Sequence, residues 1–282
     1  RIVVVSPTSQ RCPSSPISLA CHRHSPGNAS TMITDPIFYA AAIPAVLFVG
    51  ISKGGLGAIA LFGVPIMALV ISPVQAAAIM LPILLIMDAV AIKSYWGEFD
   101  KQILKDMLPA AIAGIGVGWA TAAYVDDELL RLLLGIMTLL FALKYYLWRG
   151  DDTPQPRNPT KAMLGGFGAG YTSFVSHAGA PPYQLYTLPL QLDRRIFAGS
   201  SVLFFAIVNI VKLVPYFALG QLDTGNITTS VVLMPVAFAS TMLGIWLVKI
   251  VSQELFYRIV YGALLLVSAK LIWDGLAGYH LV

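Results

Sequence analysis

Two apolar stretches, residues 37–52 and 56–71, meet at the turn Ser52-Lys53-Gly54-Gly55-Leu56-Gly57. Each has 16 residues, which as helix is roughly 24 Å against a bilayer hydrocarbon core near 30 Å. Short hydrophobic segments broken by glycine, with a cation at the break, bring helix ends and charge to the middle of a membrane. Composition places the whole chain there: it is 57% hydrophobic and 11% charged, with mean hydropathy +0.76, whereas a soluble domain carries about 25% charged residues. Apolar runs with Leu, Ile, Val and Ala on every face favour helices over an outer-membrane barrel, whose strands alternate. The expected fold is therefore an all-α integral membrane protein. The net charge of +4 and pI near 9.0 are not a nucleic-acid signal, because the basic residues flank hydrophobic segments. There they orient the chain and meet anionic headgroups, so the bilayer is the partner expected.

The apolar stretches fall at 37–52, 56–71, 74–94, 103–124 and 129–148, then at 162–177, 180–192, 195–219, 226–249 and 254–278. Each set has two short segments followed by three long ones. Pro109, Gly118, Glu128 and Lys144 match Pro235, Gly244, Glu254 and Lys270 at one offset. Tyr95, Gly97 and Asp100 match Tyr216, Gly220 and Asp223 with a two-residue insertion. Such correspondence over half the chain is the mark of an internal repeat. The domains expected are a disordered or non-native extension at 1–31, a membrane repeat at 32–148, a cytoplasmic linker at 149–161 and a second repeat at 162–282. The extension is rich in Ser and Pro and precedes Met32, and it holds both cysteines, Cys12 and Cys21, with His22 and His24 nearby. Their spacing matches no zinc framework, so no metal or cofactor is expected.

Charge sets the orientation. Arg149, Arg157 and Lys161 put the linker inside the cell; Asp126 and Asp127 then fall outside, Lys101 and Lys105 inside. Onward, Arg194 and Arg195 fall inside, Gly220–Asp223 outside, Lys249 and Arg258 inside and the C-terminus outside. The two repeats therefore run in opposite senses, each hairpin opening to its own side of the membrane.

Lys53 beside the N–H groups of Gly54, Gly55 and Gly57 makes an anion site, although a lysine at a break also snorkels to the interface. Its counterpart in the second half is Ser176-His177-Ala178-Gly179-Ala180-Pro181-Pro182, where Gly179 and the prolines signal a new helix start. His177 would bind the anion, carry a proton or bond freed carbonyls. Asp88 and Asn209 occupy matching repeat positions, with Lys212 one turn beyond Asn209, and Asp88 and Lys212 are expected to pair. Tyr216 is a candidate gating residue. Glu128 and Glu254 start helices and complement their dipoles. Gly114-Ile115-Gly116-Val117-Gly118 and Gly166-Phe167-Gly168-Ala169-Gly170 offer small faces for close helix packing, inside one chain or in a homodimer. Neither reads as a nucleotide loop.

On the residues Gly50-Ile51-Ser52-Lys53-Gly54-Gly55-Leu56-Gly57, the duplication, and Asn209-Ile210-Val211-Lys212-Leu213-Val214-Pro215-Tyr216 followed by Gly220, the chain resembles the TauE/SafE family of membrane transporters over roughly residues 33–278. The family's second-half glycine cluster is replaced here by the His177 segment. The resemblance implies transport of sulfite or a small organosulfonate across the cytoplasmic membrane. The residues themselves imply a secondary transporter for a small anion. Lys53, Lys212 and His177 would neutralise the anion, helix starts near Gly55 and Gly179 would donate N–H groups, and Asp88 or His177 would titrate if protons drive transport. The alternatives are a permease for another anion such as a carboxylate, and an intramembrane hydrolase using Ser52 with Lys53 or Ser176 with His177. Adjacent helical side chains diverge by about 100°, which disfavours the hydrolase.

Overall fold

The computed structural model describes residues 32–53, 57–124, 126–147, 154–247 and 253–279, and the described chain is all helix and turn. Its helices are α1 (Pro36–Ser52), α2 (Gly63–Met67), α3 (Pro73–Ser94), α4 (Lys101–Thr121), α5 (Asp127–Leu147), α6 (Pro159–Ser176), α7 (Ala180–Thr187), α8 (Arg194–Ala218), α9 (Thr224–Leu247) and α10 (Gln253–Gly278), with 3-10 turns at Gly57–Phe62, Ala122–Tyr124 and Leu188–Leu190. The 1–31 extension, Gly54, Gly55, Leu56 and the first part of the linker, 149–153, lie outside the described residues. Among those described, α3, α4, α8 and α9 are long and apolar enough to cross a membrane, and α1 is a shorter apolar helix.

The helices start where the chain supplies a cap. Side-chain oxygens of Asp35, Ser72, Asp100, Asn158 and Asp193 accept first-turn N–H groups, and proline follows at the start of α1, α3 and α6. For α5 the capping oxygen belongs to Asp126, which accepts from Leu129 N–H at 2.8 Å; Glu128 sits in the turn that follows. Gly97 and Gly220, a matched pair in the two sequence halves, both take positive φ (83° and 67°) where α3 and α8 turn into the next helix.

The segments expected at 56–71 and 180–192 are not single helices. The first is a 3-10 turn followed by the five-residue α2, and the second is the eight-residue α7 followed by a 3-10 turn. Gly63 and Pro65 break the first; in the second, Pro181 and Pro182 lie in the first turn and Pro189 in the closing 3-10 turn.

Glycines let the helices approach at backbone distance. A Cβ at Gly166 would lie 2.4 Å from Met107 O, one at Gly170 2.0 Å from Ala111 O, and one at Gly114 2.2 Å from Phe167 O. The rising numbers on both sides show that α4 and α6 run parallel. In the other half, Gly50 meets Ser240 and Gly244 meets Ile51, so α1 and α9 run parallel as well. The small faces flagged in the sequence are thus engaged within the chain. Helices α5 and α10 pack antiparallel, with Gly135 against Ser268 and Ile272 and Gly275 against Leu132.

Two polar seams tie the ends. At the linker end, Arg157 grips Asp100 with two hydrogen bonds (3.1 and 2.5 Å), Arg195 meets Glu98 at 2.8 Å, and Ser200 Oγ accepts from Asp100 N–H at 2.8 Å. At the opposite end, Gln75 donates to Asn226 at 3.3 Å, Ile33 N–H to Thr229 at 3.2 Å, and Tyr279 to Asp126 at 2.7 Å. Arg131 of α5 reaches the end of the first hairpin, donating to Ala68 O and Ile71 O at 3.0 and 3.4 Å.

Candidate functional site

Helices α1 and α6 both stop inside the protein, and the residues that follow them carry the polar chemistry. Lys53 caps α1 and extends its ammonium to Asp88 Oδ1 at 2.5 Å. Asp88 is 2% exposed on α3, and its other oxygen accepts from Asn209 Nδ2 of α8 at 2.6 Å. An ion pair this deep is favourable only when the remaining lone pairs are satisfied, and Asn209 does that.

His177 caps α6 in the left-handed conformation (φ 55°). A histidine tolerates this region better than a β-branched residue, but it is a strained choice. Its Nε2 lies 2.9 Å from Ala77 O of α3, and Lys212 Nζ lies 2.6 Å from its Nδ1. A carbonyl only accepts, so the proton sits on Nε2; Nδ1 is then an acceptor for the Lys212 ammonium, and the imidazole is neutral. Lys212, wholly buried, also donates to Ser173 O and Ser173 Oγ, both at 3.0 Å. The expected Asp88–Lys212 pair is therefore not formed. Asn209 and Lys212 lie on one face of α8, but Lys53 reaches Asp88 first and Lys212 is taken up by the end of α6.

A cavity of about 60 Å³ lies against this cluster, with Ser52, Lys53, Ser173, His177, Ser201 and Asn209 as its polar lining. By the same measure a water needs about 10–15 Å³, so the space admits several waters or a small polyatomic ion. Phe197, Ala198, Val202 and Phe205 carry the wall along α8 towards the linker end. From Asn209 to Phe197 that is roughly 18 Å of helix.

Of the residues singled out in the sequence, Lys53, His177 and Asn209 share the cavity wall, while Asp88 and Lys212 stand behind them as supports. Tyr216 is buried one turn beyond Lys212, donating to Phe174 O at 2.8 Å, its ring 6.0 Å from that of His177. Ser176 is turned away and donates to Thr172 O at 3.1 Å. Gly57 opens the 3-10 turn, and Gly54 and Gly55 lie outside the described residues. Gly179 caps α7 and packs against Ala169 O and Ser173. The donor array expected there is thin, because Pro181 and Pro182 have no N–H. Sequence reasoning missed Ser173 and Ser201. Ser173 falls one turn before His177, a spacing that carries its carbonyl and hydroxyl to the same point, but serine is common in helices and nothing marks it.

The described fold, all helical with four apolar spans, is that of a multi-pass membrane protein with a buried polar junction. The chain belongs to the sulfite exporter TauE/SafE family, whose model matches residues 42–271. No curated protein and no solved structure matches the chain.

Proposed function

We propose that this protein is a secondary transporter that moves a small anion across the cytoplasmic membrane, by alternating access between two inverted repeats. The observation that carries the reading is the set of partners at the junction: Lys53 pairs with the carboxylate of Asp88, while Lys212 meets the uncharged groups Ser173 O, Ser173 Oγ and the His177 imidazole. Among the described residues no carboxylate touches Lys212, so a positive charge there, close to a cavity of ionic size, has no direct counter-ion, and burying unpaired charge is costly. A small anion bound against Lys53, His177, Ser173 and Asn209 balances it.

Family membership directs the substrate towards sulfite or a small organosulfonate. Inverted repeats are supported by the reciprocal packing, α1 along α9 and α6 along α4, and by the entrance of α1 and α6 from opposite ends. The reading needs a single copy; a homodimer would have to form through surfaces other than the glycine faces already engaged. The hydrolase alternative finds no support in the hydroxyls. Ser52 donates to Val49 O at 2.6 Å and Ser176 to Thr172 O, while Lys53 and His177 are taken up by other partners.

The test is a thermal-shift titration of purified protein against sulfite, sulfate, sulfoacetate, taurine, lactate and chloride, in parallel with Lys53→Ala. Saturable stabilisation by a sulfur oxyanion, lost in the variant, supports the reading. Stabilisation by lactate alone makes it a carboxylate permease. For coupling, Asp88 or His177 is the proposed titrating group; uptake into vesicles that ignores an imposed pH gradient removes proton coupling.

A further inference from the structure

A second cavity, also about 60 Å³, lies at the opposite end of the molecule from the linker. Its wall includes Val74 and Ala77 at the start of α3, Thr121 at the end of α4, Tyr171 on α6, and Tyr216 and Gln221 where α8 ends. The two cavities approach one another around His177 at the end of α6. His177 lines the first, Ala77 lines the second, and the His177 Nε2–Ala77 O hydrogen bond of 2.9 Å joins them. Tyr216, in the wall of the second cavity, stacks obliquely near the imidazole at 6.0 Å. The first cavity continues along α8 to the linker end, while the second sits among residues of the other end.

We propose that the second cavity is the far-side vestibule of the permeation path, and that the His177 side chain is the barrier between it and the anion site. This rests on the transport reading above. The vestibule offers polar side chains from Tyr171 and Gln221, the hydroxyls of Thr121 and Tyr216 being taken up by backbone carbonyls, and its described lining holds no charged side chain. It suits a partly hydrated small oxyanion held briefly rather than tightly. The barrier is a single hydrogen bond from a side chain whose backbone is held in a sparsely populated region. Such a residue belongs where two states must lie close in energy. When His177 releases Ala77 O, its Nδ1 remains with Lys212, and the two cavities join.

The experiment is side-selective thiol labelling of the full chain, with Cys12 and Cys21 changed to serine, in oriented vesicles, using a charged membrane-impermeant methanethiosulfonate. Ser201→Cys should react from the linker side only, and Thr121→Cys from the far side only. Adding His177→Asn, whose shorter side chain tolerates the left-handed backbone but falls short of Ala77 O, should speed far-side labelling of Ser201→Cys at least about tenfold, as a minor open state becomes the major one. His177→Gly is the second variant should His177→Asn misfold. Failure of Thr121→Cys to react from either side, or unchanged far-side labelling of Ser201→Cys in a folded His177 variant, overturns the proposal. Labelling requires no substrate. A protein that binds its anion but shows either of these failures loses the vestibule and keeps the anion site.

Discussion

Lys53 is the residue on which the site turns. Its ammonium pairs with a carboxylate that is 2% exposed, so removing it strands a charge in a medium that solvates charge poorly. Lys53→Ala should lower unfolding stability by about 3–5 kcal/mol, and Lys53→Ala with Asp88→Ala should recover much of that loss. Denaturant or thermal unfolding of the two singles and the double checks this. Equal losses in the single and the double would mean the pair contributes nothing. Anion affinity should not return in the double variant, because the cation is still missing. Asp100 makes the opposite kind of pair, at the surface. The Arg157 hydrogen bonds hold its carboxyl below the usual 3.8, with help from Ile103 and Gln102 N–H groups. A carboxyl depressed on folding adds stability above its ordinary value, and that stability is lost as pH falls below about 3.8 through the folded value. Asp100→Asn should therefore flatten the acid limb of the stability–pH curve and leave the neutral limb lower; an unchanged acid limb would mean the latch does not form in solution.

Between elements, backbone contact through glycine decides the outcome. Gly170 would set a Cβ 2.0 Å from Ala111 O, and a backbone oxygen cannot move aside as a side chain can. Gly170→Leu should part α4 from α6 and cost about 1–3 kcal/mol or more. Because α6 ends at His177, anion affinity should fall with it. Gly116, with nothing near its Cβ position, is the control: Gly116→Ala should be neutral or gain up to about 1 kcal/mol from helix propensity. Melting temperatures of the two variants read the difference, and equal values would refute the close approach. The hairpins show why elements were only partly legible. Asp35, Ser72, Asp100 and Asn158 stand before apolar runs and cap their helices through side-chain oxygens. The second arms, 56–71 and 180–192, looked like short helices from hydrophobicity alone. Gly63, Pro65 and the prolines at 181, 182 and 189 divide them into 3-10 and α pieces. An apolar run measures burial, and burial is the same for either geometry.

Across the whole molecule, α1 packs along α9 and α6 along α4, with α1 and α6 entering from opposite ends, as the proposed inverted repeats require. The membrane sidedness proposed from charge is open to direct test: Gln155→Cys should label from the cytoplasm and Tyr279→Cys from outside, in the same two-serine background. Labelling of both from one side would rule out the inverted arrangement. What the chain determines by itself is its solvent and the residues worth burying. Composition excludes water as the medium, and ionisable side chains inside apolar runs mark the candidate site. What only the tertiary structure decides is who pairs with whom. Asp88 could reach either lysine as far as spacing goes. The choice of Lys53 depends on where α1 stops beside α3, and Lys212 is drawn to Ser173 and His177 because α6 ends beside α8. Helix periodicity fixes which face a side chain occupies, but the partner across that face is set by contacts between helices 35 or more residues apart in the chain, and no local pattern encodes those.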